Sequence, residues 1–294
     1  MKYKIVSFFT LLFFLFFGCT NKKAELEVMT FNVRYDNPED GANKWENRLP
    51  VIKFYFTEEE PDIIGMQEVL HHQVLDLLNI LSGYDYVGTG RNDGKQGGEF
   101  TPVFYKKDKF KLLENSQFWL SETPEVVGSI GWDAAITRIV TWAKFEHIST
   151  GKEFYFFNTH FDHRGIQARE MSAKLLSEKI DEIAGNAAII VTGDFNIRKN
   201  HSILGSSLYD NLINTLKINN SLTSALLASD TPVDTGGATS TGFSESWTVG
   251  EIGDAIDYIF INEHFKVKLY RVDRIIKDDV FISDHWPVVS ILNF

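Results

Sequence analysis

Apolar residues along this chain come in short runs that end abruptly on polar ones. LEVMTFNV (26–33), DIIGMQ (62–67), TPVFYK (101–106) and IVTWAKFE (139–146) each have the length and side-chain content of a strand. So do FYFFNTH (154–160), AAIIVTGD (187–194), AIDYIFI (255–261) and PVVSIL (287–292). Several are apolar throughout rather than alternating, which places them in sheets covered on both faces. Between them the period changes to that of a helix. In QAREMSAKLLSEKIDEIAG the stripe Ala168, Met171, Leu175, Leu176, Ile180, Ile183 follows helical spacing, and Gly185 supplies a C-terminal stop. LHHQVLDLLNILSG repeats the logic with Leu70, Val74, Leu77, Leu78 and Leu81 ahead of Gly83. A third helix is expected from near Leu49, with Pro50 in its first turn, to a point before Pro61. Helices interleave with strands, yet 139–146 and 154–160 are close enough to pair as a hairpin across ISTGKE. The class is therefore α/β, with packed sheets and helices outside them.

No repeat, low-complexity block or long linker interrupts this pattern, so residues 27–294 read as one domain. Ahead of it, two lysines precede a thirteen-residue apolar run, Ile5–Phe17, too short for a comfortable membrane span and suited to a signal sequence. Cys19, the one cysteine in the chain, follows Phe-Phe-Gly in a way that resembles the lipobox of bacterial lipoproteins. The resemblance implies cleavage before Cys19 and a lipid on its thiol; an ordinary secretory signal with an incidental cysteine is the alternative. On the first reading residues 1–19 are a lipoprotein signal peptide and 20–26 a tether. The protein is then a monomer held by its lipid to a membrane of the cell envelope, outside the cytoplasm.

Apart from Cys19 the chain has no thiol, which excludes disulfides and Cys-ligated zinc from its body. Of the 29 basic residues, Lys2 and Lys4 leave with the signal, so 27 face 40 acidic ones, a formal charge of −13. An acidic surface of that kind is unsuited to following a nucleic-acid backbone, which needs a basic stripe. A compact substrate stays open, and so does nucleic acid held in a local basic groove.

The polar groups at the ends of the strand runs carry the chemistry. Asn32 closes the first, Glu68 follows the second, Asn158 and His160 close FYFFNTH, and Asp194 and Asn196 stand at the end of VTGDFN. Asp257 lies in IDYIF, and Asp284 and His285 lie just ahead of the last run. Singly each has an ordinary explanation. Asn32 can cap a turn, Asp194 and Asn196 can form an Asx turn after Gly193, Glu68 can favour a helix start, and His160 can be structural. Gathered at one edge of a core, the acids would be costly to bury without a compensating cation. Carboxylate and amide oxygens suit a hard divalent ion: magnesium, calcium or manganese.

TFNVR, GMQEV, NTHFDH, VTGDFN, IDYIF and SDHWPV resemble, in order, the motif set of the endonuclease/exonuclease/phosphatase superfamily, across residues 28–290. DNPEDGANKWENR, GTGRNDGKQGGE, FWLSETPE and GWDAAITRIVTWA further resemble a bacterial secreted branch of it. The resemblance implies a four-layer α/β/β/α sandwich of two mixed sheets, as in DNase I, and hydrolysis of phosphate esters with Mg2+ or Mn2+. It also implies roles for the matching residues. Glu68, Asn32 and Asp284 fall on the metal; His285, oriented by Asp257, is a general base or a contact to the scissile phosphate. Asp194 positions or deprotonates the attacking water, Asn196 holds a phosphate oxygen, and His160 stabilises developing charge. Tyr105, in PVFY, resembles a family tyrosine near the phosphate, and Arg138, after GWDAAIT, is a second candidate substrate contact. Trp132 and Trp247 are candidates for stacking on a sugar or base. TGGATSTGF (235–243) departs from the Thr-Phe segment expected there, and no pocket role is assigned to it.

The expected function is hydrolysis of phosphate esters outside the cytoplasm, as phosphodiesterase or phosphatase. The expected substrate is a phospholipid headgroup, a phosphosugar or a nucleotide. The alternatives are a metal-dependent endo- or exonuclease and a non-catalytic lipoprotein that binds a phosphorylated ligand.

Overall fold

The computed structural model describes residues 24–199, 205–231, 237–244 and 254–294. Cys19, with the expected signal segment, and Trp247 lie outside the described residues. The first strands are β1 (Glu25–Asn32), β2 (Ile63–Gln67), β3 (Tyr84–Val87), β4 (Val103–Lys106) and β5 (Phe110–Trp119). Next come β6 (Ile139–His147), β7 (Lys152–His160), β8 (Ile189–Asp194), β9 (Thr223–Ser224) and β10 (Asp257–Ile261). The last are β11 (Lys266–Val272), the small hairpin β12 (Ile276–Lys277) and β13 (Val280–Phe281), and β14 (Val288–Asn293). The helices are α1 (Trp45–Glu58), α2 (His71–Ile80), α3 (Ile166–Ala184), α4 (Gly205–Asn220) and the short α5 (Ala225–Ala228).

One sheet runs β11-β14-β1-β2-β4-β3 and the other β5-β6-β7-β8-β10-β9. Each is mixed: β1 is parallel to β2, and β7 is parallel to β8, among antiparallel neighbours. The sheets face each other, β1 and β2 lying over β7, β8 and β10. Met29, Phe104, Phe156, Ile190 and Trp286 belong to the apolar cluster between them, which continues under α1 and α2 through Trp45, Ile52 and Val74. A second cluster joins Phe157, Val191 and Phe260 to Leu176 of α3 and Leu212 and Leu216 of α4. The architecture is thus the four-layer sandwich of two mixed sheets. Among the described residues no helix is long and apolar enough to cross a membrane.

Asn158 carries polar contacts across the gap between the sheets. Asn158 is fully buried and its Nδ2 donates to the carbonyls of Met66 (2.7 Å) and Pro102 (3.0 Å). Its Oδ1 accepts from Gln67 Nε2 (2.7 Å) and Thr192 Oγ1 (3.0 Å). Its hydrogen-bonding capacity is spent on pinning one sheet to the other, so Asn158 is a structural amide and no member of the strand-end set. The close approach requires Gly65, where a Cβ would lie 2.1 Å from Thr192 Oγ1.

Three expectations shift. α1 begins at Trp45 rather than near Leu49, because the Trp45 indole donates to Asp76 Oδ2 (2.8 Å) and Arg48 is buried, anchoring an earlier turn. Pro50 therefore sits inside the helix. The sheet reaches into the expected tether, since Ala24 exchanges backbone hydrogen bonds with Phe294 and β1 starts at Glu25. In α3 the buried face is Ala168, Ser172, Ala173, Leu176, Ser177 and Ile180, leaving Met171, Leu175 and Ile183 half-buried at its flank. Small side chains let α4 approach, and Ser177 Oγ donates to Asn220 Oδ1 at 2.6 Å.

Candidate active site

Topology delivers the polar groups to one edge of the sandwich. β1, β2, β7 and β8 run towards that edge while β10 and β14 run away from it, so strand ends and strand starts meet there. Register sets Asn32 beside Gln67, His160 beside Asp194, and Asp194 beside Asp257. Glu68 and Asn196 adopt left-handed backbone conformations, φ 62° and 51°, that turn the chain off the ends of β2 and β8. Asn32, Glu68, His160, Asp194, Asn196, Asp257, Asp284 and His285 are all brought to this edge.

His285 and Asp257 form a buried dyad. His285 Nδ1 donates to Asp257 Oδ2 at 2.9 Å, and the same oxygen receives the Thr239 hydroxyl at 2.5 Å. That hydroxyl in turn accepts the backbone N–H groups of Ile256 (3.1 Å) and Asp257 (3.2 Å). Burial alone would lower the pKa of His285. The Asp257 charge and hydrogen bond, aided by Asp194 and Asp284, outweigh it and raise the imidazole well above its usual value. His285 Nε2 faces Asp194 Oδ2 at 3.8 Å. Burial, then the Asp257 charge, push Asp194 up to about 7.

Asp194 is held from both sides: its Oδ1 accepts Asn196 N–H (2.9 Å) and its Oδ2 accepts Asn32 Nδ2 (3.1 Å). His160 is the opposite case to His285. Burial, then the Arg138 and Arg91 charges, hold it well below its ordinary value and leave it neutral. Its Nε2 accepts Asn196 Nδ2 at 3.1 Å, which places the proton on Nδ1, where no described residue receives it.

The second acidic group is Glu68 with Asp284. Glu68 Oε1 accepts Asn32 Nδ2 (3.1 Å) and Oε2 accepts Tyr35 N–H (3.2 Å). Asp284 Oδ1 accepts the Ser283 hydroxyl at 3.3 Å. Burial raises Asp284 above the usual carboxylate range, with Glu68 adding to the rise and His285 opposing it. Arg34 approaches both acids: its NH1 lies 3.9 Å from Glu68 Oε2 and 3.7 Å from Asp284 Oδ2, beyond hydrogen-bond reach. The two carboxylates offer oxygen donors that fit a hard divalent ion, while Asn32 beside them turns its Nδ2 to Glu68 and its Oδ1 accepts the Arg34 N–H at 3.0 Å. Asp194, Asp257 and His285 also offer ligand atoms within 4.8 Å of one another. An ion there would compete with the His285–Asp257 hydrogen bond, so Glu68 and Asp284 are the better fit.

Glu68, His160, Asp194, Asn196 and His285 line a cleft of about 570 Å³ together with four arginines, Arg34, Arg91, Arg138 and Arg198, and with His163, whose pKa burial and then Arg138 lower. Arg138 is buried, its NH2 3.0 Å from His163 Nδ1 and its NH1 without a hydrogen-bond partner among the described residues. Arg91 makes a bidentate pair with Glu99 at 2.8 and 2.6 Å. The cleft thus reverses the sign of the acidic body around it.

Tyr105 is not brought here. It lies opposite Ile63 at the start of β2, whereas the site stands past the end of β2 at Gln67. Antiparallel β4 carries it to the far edge, where its ring packs on Phe145 at 4.8 Å. Trp132 is half-buried, with its N–H on the Glu122 carboxylate, and does not line the cleft. Sequence reasoning missed Arg34, Arg91, Arg198, His163 and Thr239. Arg34 and His163 stand inside the quoted motifs TFNVR and NTHFDH, so proximity to Asn32 and His160 was the available signal. Thr239 falls in TGGATSTGF, the segment given no role; Ser240 of that segment lines the cleft and bridges to His285.

Solved structures share this arrangement of chain. An endonuclease/exonuclease/phosphatase from Bacteroides vulgatus is 40% identical, covering 92% of this chain and 98% of that one, with a TM-score of 0.81. A mannosyl-6-phosphatase of Bacteroides thetaiotaomicron is 37% identical, covering 92% of this chain and 100% of that one, with a TM-score of 0.78. An uncharacterised protein of Acanthamoeba polyphaga mimivirus is 30% identical over 84% of this chain and 92% of its own length. The model of the Endonuclease/Exonuclease/phosphatase family matches residues 29–285, nearly the whole sandwich, and the chain belongs to that family.

Proposed function

We propose that this protein is a phosphatase that uses a divalent ion, Mg2+ or Mn2+, to release phosphate from compact monoesters such as phosphosugars. The carrying observation is the lining of the cleft, where four arginines surround Asp194, His160 and His285. A monoester dianion demands more positive charge than a diester, and a basic wall on an acidic body supplies it locally. Among the lining residues Tyr35 is the one aromatic, a poor platform for the stacked bases of a nucleic acid. The likeness to a mannosyl-6-phosphatase supports the same substrate class.

Glu68 and Asp284, with Asn32 beside them, would hold the ion. When bound, it supplies Lewis-acid neutralisation of phosphoryl oxygens. Asp194 orients the attacking water and receives its proton, Asn196 and His160 meet the phosphoryl oxygens, and His285, fixed by Asp257, contacts the phosphate as a cation. Lipidation of Cys19 would hold the enzyme to a membrane outside the cytoplasm, acting as a monomer.

The test is hydrolysis of a hexose 6-phosphate, an aryl monoester and an aryl diester with Mg2+ or Mn2+, and again with chelator. The expected result is chelator-sensitive turnover with the monoesters strongly preferred. Faster turnover of the diester or of single-stranded DNA would overturn the proposal.

A further inference from the structure

Arg34 stands where its charge bears on both acids of the ion-holding pair. Its NH1 is 3.9 Å from Glu68 Oε2 and 3.7 Å from Asp284 Oδ2, close enough to offset their charge but too far to occupy their lone pairs. The rest of the guanidinium is locked. Nε and NH2 each reach Asp40 at 3.0 Å, and Cζ lies 4.6 Å from the centre of the Tyr35 ring. The Arg34 backbone, at φ 60°, is fixed too: its carbonyl accepts from Arg48 NH2 (3.0 Å) and Gln73 Nε2 (3.1 Å). Of the three guanidinium nitrogens NH1 alone makes no hydrogen bond to a described residue, and Arg34 lines the cleft.

We propose that Arg34 is the resident counter-ion of the Glu68–Asp284 pair, and that it makes a divalent cation and a phosphate bind this cleft cooperatively. The inference rests on the reading of Glu68 and Asp284 as the ion-holding acids. An arriving cation meets a guanidinium that its Asp40 partner prevents from swinging away, and the repulsion weakens its binding. A phosphate relieves that repulsion, since one oxygen can accept from NH1 while another faces the cation. Each ligand then strengthens the other by the same factor, as linkage requires. The cleft in this way holds its ion weakly at rest and firmly once substrate is present.

Calorimetric titration of the protein with Mg2+, with and without inorganic phosphate, tests this without any turnover. Wild type is expected to bind Mg2+ about tenfold or more tightly when phosphate is present. Arg34→Met should bind Mg2+ alone more tightly than wild type and lose most of the phosphate effect, whereas Arg34→Lys, which keeps the charge, should retain much of both. A melting curve for each variant separates these outcomes from misfolding. Arg34→Met binding Mg2+ no more tightly than wild type, or keeping the full phosphate effect, would overturn the proposal for Arg34 alone. Absence of Mg2+ binding in wild type under every condition would overturn the metal reading beneath it.

Discussion

His285 Nδ1 donates to Asp257 Oδ2 at 2.9 Å, with both side chains buried. That bond fixes which imidazole nitrogen faces Asp194, and it holds the positive charge of His285 in place without leaving it uncompensated. Asp257→Asn and His285→Ala should each lower kcat by about 10²- to 10⁴-fold with a smaller change in KM. The double variant should fall little further, because the two act as a unit. Steady-state kinetics on one monoester decides it: losses that multiply in the double variant would show that the two side chains work independently.

Asp162 organises the opposite wall. Its Oδ1 accepts the N–H groups of Arg164 (2.9 Å) and Gly165 (2.7 Å), and its Oδ2 accepts Ala135 N–H at 3.1 Å, with Arg138 Nε at 3.5 Å. Burial would raise its pKa, but those backbone donors and then Arg138 outweigh burial, and the net shift is downward. A depressed carboxylate stabilises the fold fully above its unfolded value of about 3.9, and that contribution fades as pH falls through the folded value. Asp162→Asn should therefore cost about 1–3 kcal/mol at neutral pH, and its deficit should shrink below about pH 4. Urea unfolding of both proteins across that range provides the comparison; a deficit independent of pH would mean the charge of Asp162 contributes nothing.

The strands that could be read from sequence are the interior ones, and those that could not are the edges. β1, β2, β4, β6, β7, β8, β10 and β14 have partners on both sides, and their runs are apolar because little of them meets solvent. β3, β5, β9 and β11 flank the sheets. β5, FKLLENSQFW, is exposed through its middle and carries a bulge between Leu112 and Glu114, so its pattern loses phase. The polar groups gathered at the cleft edge were legible for a related reason: Asp194 and Glu68 stand at the ends of strongly apolar strands, where a polar residue is conspicuous. Arg91 and Thr239 lie in loops rich in polar residues, where nothing in the local pattern separates a residue of the site from a solvated one. Tyr105 failed because residue type does not reveal which end of an antiparallel strand faces the site.

Gly65 tests how tightly the two sheets must meet for the site to form. A Cβ there would approach Thr192 Oγ1 to 2.1 Å and Asn158 Oδ1 to 2.6 Å, two atoms of the facing sheet. Gly65→Ala should cost about 3 kcal/mol or more, by overpacking and by disturbing the Asn158 bonds. Gly83→Ala is the control, since a Cβ at Gly83 meets nothing within 4 Å. Calorimetric melting should show a large drop for the first and little change for the second; equal effects would mean the inter-sheet contact tolerates the methyl group.

Ala24, the first described residue, pairs with Phe294 at the edge of the sandwich opposite the cleft. β1 then runs eight residues to Asn32 at the site, roughly 26 Å at the rise of an extended strand. A lipid on Cys19 would therefore tether the far edge to the membrane and turn the cleft away from it. Soluble phosphosugars could reach the site, whereas phosphorylated headgroups of the anchoring membrane would face the wrong edge. Cys19→Ser should shift the protein from the detergent phase to the aqueous phase on phase separation, with unchanged turnover of a soluble monoester. A variant that stays with the membrane would identify the apolar run as an uncleaved anchor. Faster hydrolysis of headgroups in the anchoring membrane than of soluble sugar phosphates would rule out this orientation.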